Sequence, residues 1–138
     1  GGRDQLLGGL GDDILRGGNG QDVLHGDLGD DHLYGGGGRN TLLPGLGNDS
    51  LFILSDHVSH GELVGRNHDG VLADVLLGIE SDDRITILGC PTEEINVVPH
   101  EDGYGIHAKG ILEAIILDSD VTQMEISAML TGDESRWF

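Results

Sequence analysis

The sequence predicts a mainly β protein in which a coil of short parallel strands is followed by a β-rich C-terminal cap with one short helix. Two observations lead to this prediction. Residue types recur every nine residues in the first part of the chain, and the composition changes near residue 53. Residues 1–52 hold 16 of the 25 glycines and no glutamate, whereas residues 53–138 have an ordinary globular composition. We therefore expect two regions, 1–52 and 53–138.

The first region consists of six nine-residue units in phase. The sixth place of each unit holds Asp4, Asp13, Asp22, Asp31, Asn40 or Asp49. The eighth place is always leucine: Leu6, Leu15, Leu24, Leu33, Leu42 and Leu51. A three-residue strand at places seven to nine turns its middle side chain to one face, so these leucines are expected to line an interior. Glycine in the preceding places allows sharp turns. Two units then complete one 18-residue turn of a coil.

Stacked coil turns place the sixth-place side chains in two columns. We call Asp4, Asp22 and Asn40 the odd column, and Asp13, Asp31 and Asp49 the even column. Neighbours in a column are expected about 4.8 Å apart, and carboxylates at that distance repel each other unless a cation lies between them. Turn carbonyls add oxygen ligands, and Ca²⁺ takes roughly six to eight oxygens. The pattern therefore predicts calcium as the cofactor.

The units resemble the glycine-rich nonapeptide of RTX, or haemolysin-type, calcium-binding repeat proteins. This resemblance implies a right-handed parallel β-roll, or calcium β-helix, with about four Ca²⁺ ions between stacked loops. The positions that it implies for calcium are Asp4, Gly9, Gly11, Asp13, Gly18, Gly20, Asp22, Asp27, Gly29, Asp31, Gly36, Gly38, Asn40, Gly45, Gly47 and Asp49. Asp27 and Pro44 replace expected glycines, which leaves the shape of their loops open. The odd column should bind more weakly, because the amide of Asn40 is uncharged and Arg39 is basic.

Two alternatives to the calcium interpretation remain. A glycine- and aspartate-rich segment could be a disordered linker, but a linker does not need leucine at a fixed phase. A roll that folds without metal would leave the sixth-place aspartates unexplained. Asp12 and Asp30, at the fifth place, are expected to point to solvent and to offer at most a backbone carbonyl.

The second region is predicted to cap the open end of the roll, since natural sheets avoid bare strand edges. Strands are predicted at residues 51–54, 71–79, 84–88, 95–98, 104–108 and 111–117. A turn is predicted at Lys109-Gly110. Asp120 followed by Gln123 predicts a capped helix that runs to about Leu130. Residues 78–87 are similar to a segment that follows the repeats in many RTX proteins.

Charge and composition exclude several functions. The net charge of −18, from 25 acidic and 7 basic residues, argues against nucleic acid as a partner. No apolar run approaches the roughly 20 residues that span a bilayer. One cysteine excludes an internal disulfide framework. We expect a monomer that is not itself an enzyme and that takes calcium as its main partner.

The RTX resemblance implies a bacterial protein that is secreted through a type I channel and folds outside the cell. Its tail, residues 132–138, resembles the uncleaved signal that this machinery reads. The chain begins inside a repeat, so we expect upstream domains in a longer parent protein. The alternative is an accessory or substrate-binding module of a secreted enzyme, such as a protease, lipase or polysaccharide-modifying enzyme.

A few other groups allow a second interpretation. His57, His60 and His68 could bind zinc, but loop histidines are the simpler account. The adjacent carboxylates Asp82-Asp83 and Glu93-Glu94 are expected in solvated turns rather than in a catalytic pair. Cys90 is expected to be a half-buried thiol. The ninth-place residues of the even units should form one outward column that packs on the cap or on an upstream domain: Arg16, Tyr34 and Phe52.

Overall fold

The structure is a computed structural model that describes residues 2–54, 73–101, 103–117 and 120–133. Each repeat unit contributes one short strand at the predicted places. The first six strands are β1 (Gln5–Leu7), β2 (Ile14–Arg16), β3 (Val23–His25), β4 (His32–Tyr34), β5 (Thr41–Leu43) and β6 (Ser50–Leu54). The glycine-rich segments between them turn the chain back, so that successive strands lie on opposite sides of the roll.

Odd and even strands form two separate parallel sheets. In the first sheet Leu6 pairs with Leu24 and Leu24 with Leu42. In the second sheet the corresponding leucines of β2, β4 and β6 are also in register. The leucines of β3 to β6 have no exposed surface and form the core between the sheets. Because each buried leucine contributes about 1.5–3 kcal/mol, this row is the main apolar support of the roll. The predicted parallel roll is thereby confirmed.

The roll continues beyond the six units. Strand β7 (Asp74–Leu77) pairs in parallel with β5, and β8 (Arg84–Leu88) pairs in parallel with β6. Leu76 and Ile85 extend the two rows of core leucines, and both are fully buried. The parallel sheets therefore cross residue 52, and the division of the chain at that residue stays a prediction.

Antiparallel strands extend the first sheet at its far end. Strand β11 (Ile111–Leu117) still pairs in parallel with β7, and β10 (Gly103–Ala108) and β9 (Ile95–His100) then follow in antiparallel order. Lys109 and Gly110 join β10 to β11 with φ values of 55° and 81°. Two residues with positive φ make a tight hairpin turn, as predicted. The predicted strands over 95–98, 104–108 and 111–117 are confirmed within these bounds.

The second sheet is closed by a strand that the sequence pattern did not predict. Strand β12 (Leu130–Asp133) pairs in parallel with β8, and a 3-10 turn at Thr92–Glu94 packs against it. Gly132 approaches the carbonyl of Cys90 too closely for any side chain at that position. Glycine at position 132 is therefore required for this closure.

The helix α1 (Gln123–Met129) begins two residues later than a cap at Asp120 implies. Its cap is Thr122, whose side chain accepts from the Glu125 amide at 3.2 Å. The Glu125 carboxylate accepts from the Thr122 amide at 2.9 Å. This pair of hydrogen bonds forms the full reciprocal capping box. It explains why the helix is capped at Thr122 and not at Asp120 as predicted. Buried Ile126 and Met129 fix the helix on the core.

Two other predictions need comment. The strand predicted over 71–79 is described only at 74–77, where Gly78 with a φ of 72° ends it. Residues 71 and 72 lie outside the described residues. Among the described residues, no helix is long and apolar enough to cross a membrane.

Candidate metal centre

The loops between strands depend on backbone that favours glycine. The glycines at the second and fourth places of the units have φ between 82° and 131°: Gly9, Gly11, Gly18, Gly20, Gly29, Gly36, Gly38, Gly45 and Gly47. Asp27 takes the same conformation with a φ of 73°, which aspartate tolerates better than most side chains. Pro44 stands at the first place, where Gly8 and its equivalents do not have positive φ. Both irregular loops therefore keep the turn geometry of the others.

Successive loops lie in direct contact along each edge of the roll. A side chain on Gly36 would meet the carbonyl of Gly18, and one on Gly47 would meet the carbonyl of Gly29. Carbonyl oxygens of one loop therefore lie against the backbone of the next loop along the same edge. The stacking brings main-chain oxygens close to the sixth-place side chains.

The even column forms a continuous ladder of side-chain hydrogen bonds. Oδ1 of Asp31 accepts from the Asp13 amide at 2.8 Å, and Oδ1 of Asp49 accepts from the Asp31 amide at 2.8 Å. The Asp49 amide in turn donates to Oδ1 of Asp83 at 3.0 Å. Asp31, Asp49 and Asp83 are all buried. The ladder therefore runs along the whole edge and ends beyond the repeats.

The odd column repeats this geometry. Oδ1 of Asp22 accepts from the Asp4 amide at 2.8 Å, and Oδ1 of Asn40 accepts from the Asp22 amide at 2.9 Å. The Asn40 amide donates to Oδ1 of Asp74 at 2.7 Å. The predicted columns are thus present in the structure, and each one has an additional member.

Sequence reasoning missed Asp74 and Asp83 as members of the columns. Both precede a core residue by two places, and they are nine residues apart, as in the repeats. They follow Asn40 and Asp49 by 34 residues rather than 18, so a search at a strict period passes over them. The prediction of a solvated turn at Asp82-Asp83 is correct for Asp82, which is exposed, and wrong for Asp83.

Four carboxylate oxygens in the columns lack a partner. The Oδ2 atoms of Asp13, Asp22, Asp31 and Asp49 are buried and accept no hydrogen bond from any described residue. Burial raises the pKa of Asp31 and of Asp49, and the hydrogen bond from a backbone amide only partly opposes this. A buried carboxylate without a donor or a counter-charge is costly. A cation beside these four Oδ2 atoms would therefore remove the cost of burying them.

Backbone oxygens must complete any cation site in these columns. Among the described residues, no three side chains of His, Cys, Asp or Glu converge on one point. A site here would therefore combine few carboxylates with several loop carbonyls. That donor set of oxygens alone fits Ca²⁺, which accepts flexible geometry, better than Zn²⁺, which favours nitrogen and sulfur.

Asp83 differs from the other members of the even column because both of its oxygens are satisfied. Oδ2 accepts from the Glu80 amide at 2.8 Å, in addition to the Asp49 amide on Oδ1. Burial nevertheless raises its pKa to about 6. Asp83 thus closes the even column with hydrogen bonds from the protein itself.

The fifth-place side chains of the even units form a second, exposed ladder. Oδ1 of Asp12 accepts from the Asp30 amide at 2.8 Å, and Oδ1 of Asp30 accepts from the Asn48 amide at 2.9 Å. Asp12 and Asp30 are exposed as predicted, and each also accepts a hydrogen bond from the next loop, which the sequence did not predict. The close stacking of loops brings the next backbone amide within reach.

The ninth-place residues of the even units stack as predicted. The rings of Tyr34 and Phe52 are parallel within 6° at 4.2 Å, and the Arg16 guanidinium lies 4.4 Å from the Tyr34 ring. They line an open groove of about 500 Å³ together with Leu88 and Asp133. Strand β12 therefore forms one border of this open groove, and the packing of the column on the cap or on an upstream domain stays a prediction.

The remaining candidates do not form a catalytic or zinc site among the described residues. Cys90 is fully buried in the hydrophobic core rather than half-buried, and burial raises its pKa. Its Sγ donates to the Pro91 carbonyl at 3.3 Å. Glu93 and Glu94 are exposed, as expected. His57, His60 and His68 lie outside the described residues.

Comparison with known proteins agrees with this geometry. The family model for the RTX calcium-binding nonapeptide repeat (4 copies) matches residues 1–33 and residues 16–51. The structure is similar to a solution structure of the AlgE6R3 subunit from the Azotobacter vinelandii mannuronan C5-epimerase, with a TM-score of 0.59 and 23% identity. The match covers 97% of this chain and 79% of the other. A search of curated proteins found no match.

Proposed function

We propose that this chain, whose residues 1–51 are RTX calcium-binding nonapeptide repeats, is a module that folds when it binds calcium. In this role it supports type I secretion and extracellular folding of a larger bacterial protein. The module itself is structural rather than catalytic. Its ligand is Ca²⁺, held between successive loops of the roll.

The observation that carries this proposal is the set of buried Oδ2 atoms without a partner in Asp13, Asp22, Asp31 and Asp49. Metal-free folding would leave these charges in a low-dielectric edge, close to one another. A bound divalent cation supplies the missing positive charge. We propose that the sixth-place side chains hold it together with the carbonyls of the glycine turns, including Gly9, Gly11, Gly18, Gly20, Asp27, Gly29, Gly36, Gly38, Gly45 and Gly47.

Calcium dependence suits a protein that must leave the cell unfolded. Extracellular calcium modules bind with Kd values of about 10⁻⁴–10⁻³ M, far above cytosolic calcium concentrations. The glycine-rich loops cost conformational entropy to order, and repulsion between carboxylates adds to that cost. Outside the cell, ligand binding shifts the equilibrium to the folded state.

Circular dichroism during a calcium titration of the 138-residue chain tests this proposal. We expect little β signal in chelator and a cooperative gain of β signal at millimolar calcium. Magnesium at the same concentration should fail, because it requires tighter octahedral geometry. Identical spectra in chelator and in calcium would overturn the proposal.

A second candidate is an accessory, substrate-binding module of a secreted polysaccharide-modifying enzyme. The groove beside Arg16, Tyr34 and Phe52 favours it, as does the structural similarity to a subunit of an epimerase. In the stack, however, Phe52 covers one face of the Tyr34 ring and the Arg16 guanidinium covers the other, so Tyr34 offers little flat surface to a sugar. Titration of the calcium-loaded chain with a mannuronan oligosaccharide, followed by NMR, distinguishes the candidates. Shifts confined to this groove would favour the second one.

A further inference from the structure

Asn40 is the one sixth-place residue of the repeats that is not a carboxylate, and its amide makes two hydrogen bonds. Oδ1 accepts from the Asp22 amide at 2.9 Å, as Oδ1 of Asp22, Asp31 and Asp49 does from the preceding member of its column. Nδ2 donates to the carbonyl of Gly36 in the same loop at 3.2 Å. The side chain is fully buried.

The Nδ2 atom occupies the position that an unpartnered Oδ2 takes in the other loops. An ideal Cβ on Gly35 would lie 3.0 Å from Asn40 Nδ2, and one on Gly17 would lie 2.7 Å from Asp22 Oδ2. The same relation holds between Gly26 and Asp31 Oδ2, at 2.6 Å. The loops are therefore equivalent, apart from the exchange of an acceptor for a donor at one atom.

That exchange changes what the loop requires. In an aspartate loop, Oδ2 and the second-place carbonyl are both acceptors, so a cation, a proton or a bridging water must lie between them. Of these, only a cation compensates the charge of carboxylates that stay ionised. In the Asn40 loop the amide itself donates to this carbonyl. The orientation of the amide is fixed, because the buried Asp22 amide needs an acceptor and only Oδ1 can provide it.

We infer that the Asn40 amide takes the place of a calcium ion, so that this loop closes without metal while the aspartate loops require it. The inference rests on the proposed calcium function and narrows its ligand set, because it removes Asn40 and the Gly36 carbonyl from the groups that hold calcium. Asn40 lies in the last odd loop before β7, and its backbone amide donates to Asp74 there. Hydrogen bonds alone therefore hold the odd column in place at Asn40, where the repeats meet β7.

Counting bound ions in the full chain tests this inference, by isothermal titration with calcium alone. The variant Asn40→Asp should bind one more ion than the wild-type chain. The matched variant Asp22→Asn should bind one ion fewer, because it introduces the same amide one coil turn earlier. Both substitutions keep the shape of the side chain.

The outcomes separate the two proposals. A wild-type chain that binds no calcium overturns the proposed function, and this inference with it. A wild-type chain that binds calcium, with an unchanged number of ions in Asn40→Asp, overturns this inference alone.

A second measurement does not depend on whether Asn40→Asp folds. In the calcium-saturated wild-type chain, the side-chain NH₂ protons of Asn40 should exchange at least tenfold more slowly than those of Asn19 and Asn48, which are exposed. Exchange of Asn40 at the rate of these two residues would overturn the inference.

Discussion

The two edges of the roll share one backbone design and differ in charge. Both carry sixth-place side chains that accept a hydrogen bond from the preceding coil turn. At the fifth and sixth places, the even edge holds Asp12, Asp13, Asp30, Asp31, Asn48 and Asp49. The same places on the odd edge hold Arg3, Asp4, Gln21, Asp22, Arg39 and Asn40. At these places the even edge has five carboxylates and no basic residue, whereas on the odd edge two arginines balance two carboxylates.

The same repeat can therefore form two edges that depend on a bound cation to different degrees. Hydrogen bonds between backbone and sixth-place oxygens set the spacing on both edges. Net charge then decides how strongly a cation is needed, since each uncompensated carboxylate in a buried ladder raises the cost of metal-free folding. We expect the even edge to dominate calcium binding, and the odd edge to contribute less.

The largest expected effect comes from Asp31→Ala. Asp31 lies in the middle of the even column, contributes an unpartnered Oδ2 and accepts from the Asp13 amide. Its loss should raise the calcium concentration at the folding midpoint by more than about tenfold, or about 1.4 kcal/mol. Asn40→Ala is the comparison on the odd edge and should shift this midpoint less. Equal and small shifts for the two variants, in a titration followed by circular dichroism, would contradict the difference between the edges.

The next largest effect concerns the backbone, where we expect the edges to behave alike. Gly38→Ala on the odd edge and Gly47→Ala on the even edge each place a methyl group against a carbonyl of the preceding loop, at positive φ. Each should lower the free energy of unfolding by at least about 2 kcal/mol.

Gly11→Ala is the control for these glycine variants, because it has positive φ but no atom within 4 Å of the added carbon. It should show the smaller cost of the dihedral angle alone. Denaturant unfolding in saturating calcium measures all three. A clear difference between Gly38→Ala and Gly47→Ala would show that the backbones of the edges are not equivalent.

A smaller effect is expected from pH in calcium-free solution. Burial raises the pKa of Asp83 to about 6 in the folded chain, from an ordinary value of 3.8. Protonation therefore favours the folded state: this contribution is fully present below about pH 4 and is lost as the pH rises through about 6. The chelated protein should gain β signal as the pH falls from 7 to 5, and Asp83→Asn should weaken this gain.

Saturating calcium provides the control for the pH prediction, because protons then compete with the ion for the same carboxylates. Under that condition acidification should destabilise the roll. Stability of the chelated protein that stays constant between pH 7 and pH 5 would contradict the role of buried carboxyls on the even edge.

The smallest expected effects come from the exposed fifth-place charges. Arg39→Gln should increase calcium affinity by less than about threefold, and Asp30→Asn should decrease it by a similar factor, because exposed charges act weakly and are screened by salt. The Asp30→Asn side chain keeps the oxygen that accepts from the Asn48 amide. Titrations at low and high salt measure both effects. Shifts of the same sign would contradict the proposed difference in charge between the edges.

Much of the roll could be predicted from the sequence, because its period is strict. Leucine at the eighth place of every nine-residue unit indicates strands with one buried face. The interval of 18 residues between units on the same side of the roll fixes which leucines pair. Asp74 and Asp83 were missed because an intervening segment changes the interval to 34, although their register is unchanged. Strand β12 was missed because its four residues have no alternation, and pairing with β8 alone defines it.

The sequence by itself determined the period of the roll, the composition of its two columns and the excess of negative charge on one edge. These are properties of residue order, and any coil with this period places them together. Only the tertiary structure decided which side-chain atoms are satisfied. Asn40 Nδ2 meets a carbonyl, while the Oδ2 atoms of Asp22, Asp31 and Asp49 meet none of the donors in the described chain. The physical reason is that hydrogen bonding depends on atomic positions within a few tenths of an ångström, which close stacking of loops sets and residue order does not.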